Sequence, residues 1–164
     1  MILYGAYGSN LNLSQMKVRC PNAEPFIRCY INNWRLVFKG VADIEQAPGC
    51  RLTLGLYTIT SECEKSLDYY EEFPDVYKKI TIKKKINEKI EEIMLYIMNN
   101  KYNYAKPTQK YFNAIKQGYL SWELDINFLI KAGKHSIKNH SEHGYESNNW
   151  KSKKFINKQF LMNI

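Results

Sequence analysis

The sequence begins MILYGAYGSNLNL (residues 1–13), an apolar run that breaks into a small polar turn. This pattern predicts a β-strand over residues 2–7, ended by the turn Gly8-Ser9-Asn10. Because Gly8 has no Cβ, a ligand can approach the main chain closely there, and the backbone N–H groups of such a turn can hold a carboxylate or phosphate. Most turns of this composition are only turns, so the stretch by itself identifies a candidate anion site and no more.

Strand-like segments recur through the first half of the chain and again after residue 75. They are rich in β-branched and aromatic residues, and in RLTLGLYTIT the leucines alternate along one face. The pair Asn32-Asn33 predicts a hairpin turn between two of these strands. The predicted strands cover residues 2–7, 24–32, 34–39, 51–60, 76–84 and 90–98.

Helices are predicted between and after these strands. Ser61 followed three residues later by Glu64 is typical of a helix N-terminus, and this helix is expected to end at Pro74. Two later helices are predicted over residues 108–117 and 121–133. Strands early in the chain and helices later predict an α+β fold built around a curved, mainly antiparallel sheet.

A candidate acid–base residue lies in LDYYEEFPDVY, residues 67–77. In a helix Leu67, Tyr70 and Glu71 share one face, because residues three and four apart are neighbours, and Glu72 is predicted to point toward water. A carboxylate bordered by apolar side chains loses hydration, which raises its pKa toward the range of a useful base. The other interpretation is that Glu71 only ends the helix and pairs with a lysine.

Composition indicates one domain that needs no metal or disulfide for stability. The 164 residues can bury a sizeable core, and the four cysteines are widely spaced, so we expect reduced thiols. No window approaches the roughly 18 apolar residues of a membrane span, and the start lacks the features of a signal peptide, so we expect a cytoplasmic protein with no membrane partner. The basic residues behind the net charge of +8 are spread along the chain, apart from Lys78 to Lys85, and this pattern does not favour a nucleic-acid partner.

The character of the sequence changes after Gly133. We expect residues 1–133 to form the domain and residues 134–164 to form a polar C-terminal extension, which could pack back on the domain through KFINKQFLMNI. His135, His140 and His143 lie in this extension, at a spacing that favours surface histidines over a metal site.

Two separated motifs together are more informative than either alone. Y-G-S-N-L (residues 7–11) just after a first strand, followed by L-D-x-x-E (residues 67–71) after a helix start, resembles the γ-glutamylcyclotransferase-like (AIG2-like) family. The resemblance covers about residues 1–132. Further elements at family-like spacing are Pro21 and Ala23, WRLVFKG (34–40), LGLYTIT (54–60), Tyr77, Tyr96 in MLYIM, and KPTQKYFNAIKQGY (106–119).

The resemblance implies a small β-barrel-like α+β fold with flanking helices and one polar cavity. It also implies an enzyme that cyclises a γ-glutamyl group to 5-oxoproline and releases an amine or amino acid, with no metal or cofactor. By analogy Glu71 is the general acid–base, and the turn holds the substrate carboxylate while Tyr77 and Tyr111 close the pocket. The substrate-binding residues so implied are Tyr7, Gly8, Ser9, Asn10, Leu11, Tyr77 and Tyr111.

The resemblance leaves alternatives open. The family commonly has glycine after the catalytic glutamate, whereas this chain has Glu72, which could raise the pKa of Glu71 further if it points inward. Some members of this fold are thought to bind rather than catalyse, so a non-catalytic module that binds a small anion remains the second hypothesis. The sequence indicates neither the leaving amine nor an oligomeric state.

Overall fold

The computed structural model describes all residues, 1–164, and contains one five-stranded sheet in the order β2-β3-β1-β5-β4. All neighbouring strands are antiparallel except β1 and β5, which are parallel. The sheet is curved and unclosed, and helices flank it, so the predicted α+β class is confirmed. The strands are β1 (Ile2–Ala6), β2 (Glu24–Phe38), β3 (Ala42–Ile59), β4 (Tyr77–Ile86) and β5 (Lys89–Met98).

The helices and short turns complete the fold, and none of the helices is long and apolar enough to span a membrane. The turn that follows β1 is a single 3₁₀ turn, Ser9–Leu11, and a second such turn, Asn148–Trp150, lies near the C-terminus. The α-helices are α1 (Leu13–Arg19), α2 (Ser61–Tyr70), α3 (Gln109–Ser121), α4 (Ile126–Lys138) and α5 (Lys158–Met162).

Strand β1 lies in the middle of the sheet, and this position decides where the turn after it is held. Leu3 pairs with Thr58 of β3 on one side and with Ile93 of β5 on the other. Residues Tyr4 to Tyr7 are buried, as expected for a strand covered on both faces. The turn therefore leaves the centre of the sheet, where elements from both halves of the chain can surround it.

The hairpin predicted at Asn32-Asn33 is wrong. Strand β2 continues through this point, and a register shift against β3 occurs between Asn32 and Trp34. Asn33 adopts a positive φ of 63°, and its side-chain oxygen accepts a hydrogen bond of 3.0 Å from the N–H of Gly49 on β3. The two asparagines therefore form a bulge in a long strand, and the connection to β3 comes later, at Gly40.

Helix ends differ from the predictions for reasons of packing. Helix α2 is capped by Thr60, whose side chain accepts the N–H of Cys63, and it ends at Tyr70 rather than at Pro74. Helix α3 continues past Gly118, which does not end the helix. The glycine is required for close packing instead, since a Cβ there would lie 2.4 Å from the Cβ of Leu11. Helix α4 continues past Gly133 to Lys138.

The C-terminal segment, residues 139–164, packs against the rest of the chain. Trp150, Ile156 and Leu161 are buried in it, although most of their neighbours are exposed. The N–H of Tyr145 donates to the carbonyl of Lys39 at 2.8 Å, and a side chain on Gly40 would collide with the Tyr145 carbonyl. The few apolar residues of this polar segment therefore fix its path beside the connection between β2 and β3.

Candidate active site

The turn after β1 is held rigidly by bonds to its main chain. Tyr57 of β3 donates to the carbonyl of Asn10 at 2.9 Å, and the indole N–H of Trp122 donates to the carbonyl of Leu11 at 3.0 Å. The N–H of Leu11 is already engaged with the carbonyl of Gly8. Leu11 packs into the core and does not line the cavity described below, so its predicted place among the substrate contacts does not match its position.

Glu71 meets this turn through a side chain. The residue follows the last turn of α2, where its N–H donates to the carbonyl of Leu67, and its carboxyl group faces inward. Its Oε1 accepts a hydrogen bond of 2.8 Å from the Asn10 side-chain amide, which also donates to the Tyr4 hydroxyl at 2.8 Å. Two motifs that are 61 residues apart in sequence are therefore in direct contact.

Arg19, at the end of α1, fixes the orientation of Asn10. Its guanidinium donates to the side-chain oxygen of Asn10 at 2.7 Å and lies 3.8 Å from the centre of the Tyr70 ring. Since a guanidinium can only donate hydrogen bonds, Asn10 must present its oxygen to Arg19 and its NH₂ group to Glu71. Sequence reasoning missed Arg19, although an arginine one short helix after the turn was a usable signal.

The pKa of Glu71 is raised to about 7 by burial of its carboxyl group, against the lowering effects of the Arg19 charge and the Asn10 hydrogen bond. The residue as a whole is half-buried, and its carboxyl group is the part that faces the protein interior. Near neutral pH the group therefore exists in both protonation states in comparable amounts, which suits proton transfer in either direction.

Tyrosines from six separate elements or loops line the same cavity. Burial raises the pKa of Tyr77 and Tyr111, so both hydroxyls remain protonated. Tyr77 donates to the carbonyl of Ala42 at 2.5 Å, and Tyr111 accepts from the N–H of the same residue at 3.0 Å, so the pair holds the backbone of this residue on both sides. The lining tyrosines of this group are Tyr4, Tyr7, Tyr70, Tyr77, Tyr96 and Tyr111.

The C-terminal segment supplies a second wall of the cavity. Trp150 donates its indole N–H to the hydroxyl of Tyr70 at 2.9 Å, and its ring packs edge-on against Tyr111 at a centroid distance of 5.0 Å. Sequence reasoning did not connect this segment to the site. The lining residues from the segment are Tyr145, Ser147, Asn149 and Trp150.

Glu72 lies at the mouth of the cavity. It is exposed, as predicted, and has a positive φ of 51°. Its carboxylate is hydrogen-bonded to the hydroxyl of Tyr145, so it joins the two walls at the surface. The two adjacent glutamates therefore occupy different environments, with the carboxyl group of Glu71 inside and that of Glu72 at the rim.

In chemical terms, the structure combines a buried carboxyl group with an uncharged, hydroxyl-rich wall. The turn residues Tyr7, Gly8, Ser9 and Asn10 lie around the same space as Glu71, Tyr77 and Tyr111. A small polar molecule could bind between them, with one carboxyl group available to accept and return a proton.

Comparison with known proteins identifies similar sequences and structures. A family model described as "Gamma-glutamyl cyclotransferase, AIG2-like" matches residues 4–121, which include the turn, Glu71, Tyr77 and Tyr111. A solved structure described as "Gamma-glutamyl cyclotransferase" has 26% sequence identity and a TM-score of 0.72, over 90% of this chain and 94% of that one. The comparison with curated proteins gives no match.

Two further solved structures are similar. An uncharacterized protein from Homo sapiens has 26% identity and a TM-score of 0.71, over 90% of this chain and 94% of that one. YkqA from Bacillus subtilis has 19% identity and a TM-score of 0.69, over 85% of this chain and 55% of that one, and this likeness supports the fold alone.

Proposed function

The chain belongs to the gamma-glutamyl cyclotransferase, AIG2-like family, and from this premise we propose that it cyclises a γ-glutamyl group to 5-oxoproline and releases an amine or amino acid. The observation that carries the proposal is the buried carboxyl group of Glu71, 2.8 Å from the amide of Asn10 in the turn after β1. In this reaction the substrate's α-nitrogen attacks its own γ-carbonyl carbon, and the bond from that carbon to the leaving nitrogen breaks.

Glu71 is proposed to move the protons of this reaction. The α-ammonium gives up two protons as the lactam N–H forms, and the leaving nitrogen gains one proton when its bond breaks and a second on release as an ammonium. A carboxylate with a pKa of about 7 accepts a proton from an ammonium more readily than an ordinary glutamate does, and once protonated it can still donate. One group can therefore act first as the base and then as the acid.

The turn is proposed to bind the charged end of the substrate and the reacting carbonyl. Buried N–H donors aimed at a developing oxyanion are typically worth about 3 kcal/mol each. The Arg19 guanidinium, hydrogen-bonded to Asn10, adds positive charge near the place where a carboxylate would bind. Since the reaction is intramolecular, a pocket that holds the substrate folded can remove roughly 7–11 kcal/mol of the barrier.

The direct test is incubation of the protein with a panel of γ-glutamyl amides and detection of 5-oxoproline. We expect turnover by the wild-type protein, and a loss of about 10²- to 10⁴-fold in kcat for Glu71→Gln, since general acid–base catalysis contributes about that factor. Glu72→Gln is the matched control: it removes the neighbouring carboxylate, and we expect a change of less than about five-fold because its group lies at the rim.

Two outcomes would contradict the proposal. Retained turnover by folded Glu71→Gln would exclude this residue as the acid–base. Tight binding of a γ-glutamyl compound or small carboxylate with no turnover of any compound would instead favour the non-catalytic binding module.

A further inference from the structure

A second cavity, of about 410 Å³, lies beside the candidate active site and shares part of its wall. Val41, Tyr145, Ser147 and Trp150 line both cavities. A volume of this size is within the range of small-molecule sites in proteins. Most of the second cavity's lining comes from residues 144 onward, which lie outside the region matched by the family model.

The charges of this cavity are predominantly positive. Lys151 and Lys153 line it, and neither forms an ion pair with another residue of the chain. Glu146 is the acidic residue of the lining, so the ammonium groups exceed the carboxylates by one. Two ammonium groups without partners at the edge of a cavity attract an anionic group.

The remaining lining is suited to an aliphatic chain. Phe155 and Trp150 contribute aromatic surface, and Phe155 is partly exposed although it is large and apolar. The hydroxyl of Thr108 is already engaged with the carbonyl of Trp150 at 2.9 Å and does not compete for a ligand. An apolar stem ending in a negative charge therefore matches this surface better than a polar or cationic group does.

We propose that the second cavity binds the far end of the leaving amine, and that it selects γ-glutamyl amides whose amine is an aliphatic chain ending in a carboxylate. This inference rests on the proposed function. The γ-glutamyl head occupies the first cavity against the turn and Glu71, and the leaving chain passes the shared wall at Tyr145 and Trp150 to reach Lys151 and Lys153. The C-terminal segment thus determines which amine is released.

The test compares four γ-glutamyl amides that differ only in the leaving amine. These are the amides of methylamine, of ε-aminocaproate, of the amino alcohol of the same chain length, and of the diamine of the same chain length. We expect the carboxylate-ended substrate to have a kcat/KM about five-fold above that of the alcohol, as for one partly exposed ion pair, and the diamine substrate to have the lowest value of the three long chains. The difference should lie in KM, because the far end makes the same contacts in the ground state and the transition state.

Variants of the lysines assign the preference to this cavity. In the double variant Lys151→Met, Lys153→Met the carboxylate and alcohol substrates should be used equally, while the methylamide, which is too short to reach the cavity, should be unaffected. Lys154→Met is the matched control, because this lysine belongs to the same exposed run and does not line the cavity, and it should keep the preference.

The results separate the two proposals. If no amide yields 5-oxoproline, the proposed function fails. If the methylamide is turned over and the carboxylate-ended substrate has no advantage, or keeps its advantage in the double variant, the inference about the second cavity is wrong. A preference for the diamine would also overturn it and would assign the selection to the acidic side chains at Glu72 and Glu146.

Discussion

The turn after β1 and the C-terminal segment form two walls of one cavity, and they are held in different ways. In the turn, the functional side chains are themselves bonded: Asn10 contacts Glu71, Tyr4 and Arg19 at once. In the C-terminal segment the main chain is bonded to the body of the protein, but the side chains of Ser147 and Asn149, which face the cavity, form no hydrogen bond within the protein. The first wall is therefore organised for chemistry, and the second leaves the side chains of Ser147 and Asn149 free to contact a ligand.

This difference has a consequence for substitutions. Changes in the turn should alter proton transfer and stability together, because each side chain there completes the bonding of several others. Changes in the C-terminal segment should alter the choice of substrate and leave the proton-transfer step intact. The three predictions below test this contrast, beginning with the largest effect.

The largest effect is expected for Glu71→Gln, in the difference between its free energy of unfolding and that of the wild type as the pH changes. Because burial raises the pKa of Glu71 to about 7, the folded wild-type protein carries a penalty for ionising this group. The penalty is absent below the unfolded pKa of about 4.3 and complete once the pH exceeds about 7, where it can reach about 4 kcal/mol. The variant should therefore be more stable than wild type at pH 8, with a difference that disappears toward pH 4, as measured by urea unfolding.

Equal stability of the two proteins at pH 8 would show that ionised Glu71 is fully compensated by Arg19 and Asn10. Glu72→Gln is again the matched control. It should show no pH-dependent gain, because its carboxylate lies at the surface.

The second prediction concerns Arg19, the charge that opposes the effect of burial on Glu71. Arg19→Met removes this charge, so the pKa of Glu71 should rise and the acidic limb of the kcat/KM profile should move to higher pH by about one unit. Arg19→Lys keeps the charge but loses the planar group that stacks on Tyr70, and it should restore most of the position of the limb.

A purely structural role for Arg19 predicts a different result. Both variants would then lower kcat/KM at every pH, in proportion to their loss of stability, and the limb would stay in place. The measurement is the pH profile of each variant under conditions in which it remains folded.

The smallest effect is expected for Tyr145→Phe in the C-terminal segment. This change removes the hydroxyl that bonds to Glu72 at the rim of the cavity. Since Glu72 is exposed and can bond to water instead, we expect a loss of stability below about 0.5 kcal/mol and an unchanged kcat. Any effect should appear in the KM for long leaving amines, measured against the methylamide, and a large fall in kcat would place Tyr145 with the turn and not with the second wall.

Local patterns in the sequence were sufficient for the elements that carry the first wall. The apolar run at the start of the chain predicts the strand before the turn. The spacing of Glu71 from Leu67 and Tyr70 predicts that its side chain points inward. Both are short-range properties of the backbone, so they can be deduced without knowing the rest of the fold. Glu72 is exposed as the spacing predicted, but it lies beyond the end of α2 with a φ of 51°, so the turn after the helix determines its direction.

The second wall could not be deduced in this way. Trp150 and Tyr70 are 80 residues apart, and no periodic pattern in the polar segment around Trp150 indicates the contact between them. Arg19 is close in sequence, but its role depends on the orientation of the Asn10 amide, which only the assembled cluster determines. The hairpin predicted at Asn32-Asn33 was wrong for a similar reason. A bulge and a turn use the same residue types, and they differ in which residues of the flanking strands pair with each other.

The position of the turn after β1 also depends on Gly118, in helix α3. Helix α3 approaches so closely that the backbone of Leu11 lies 2.7 Å from the position of a Cβ on this glycine. The position of the turn after β1 is therefore limited by Gly118, a residue that does not line the cavity. A methyl group at Gly118 would require the backbone at Leu11 or helix α3 to move, so a substitution outside the cavity would change the geometry of the turn that lines it.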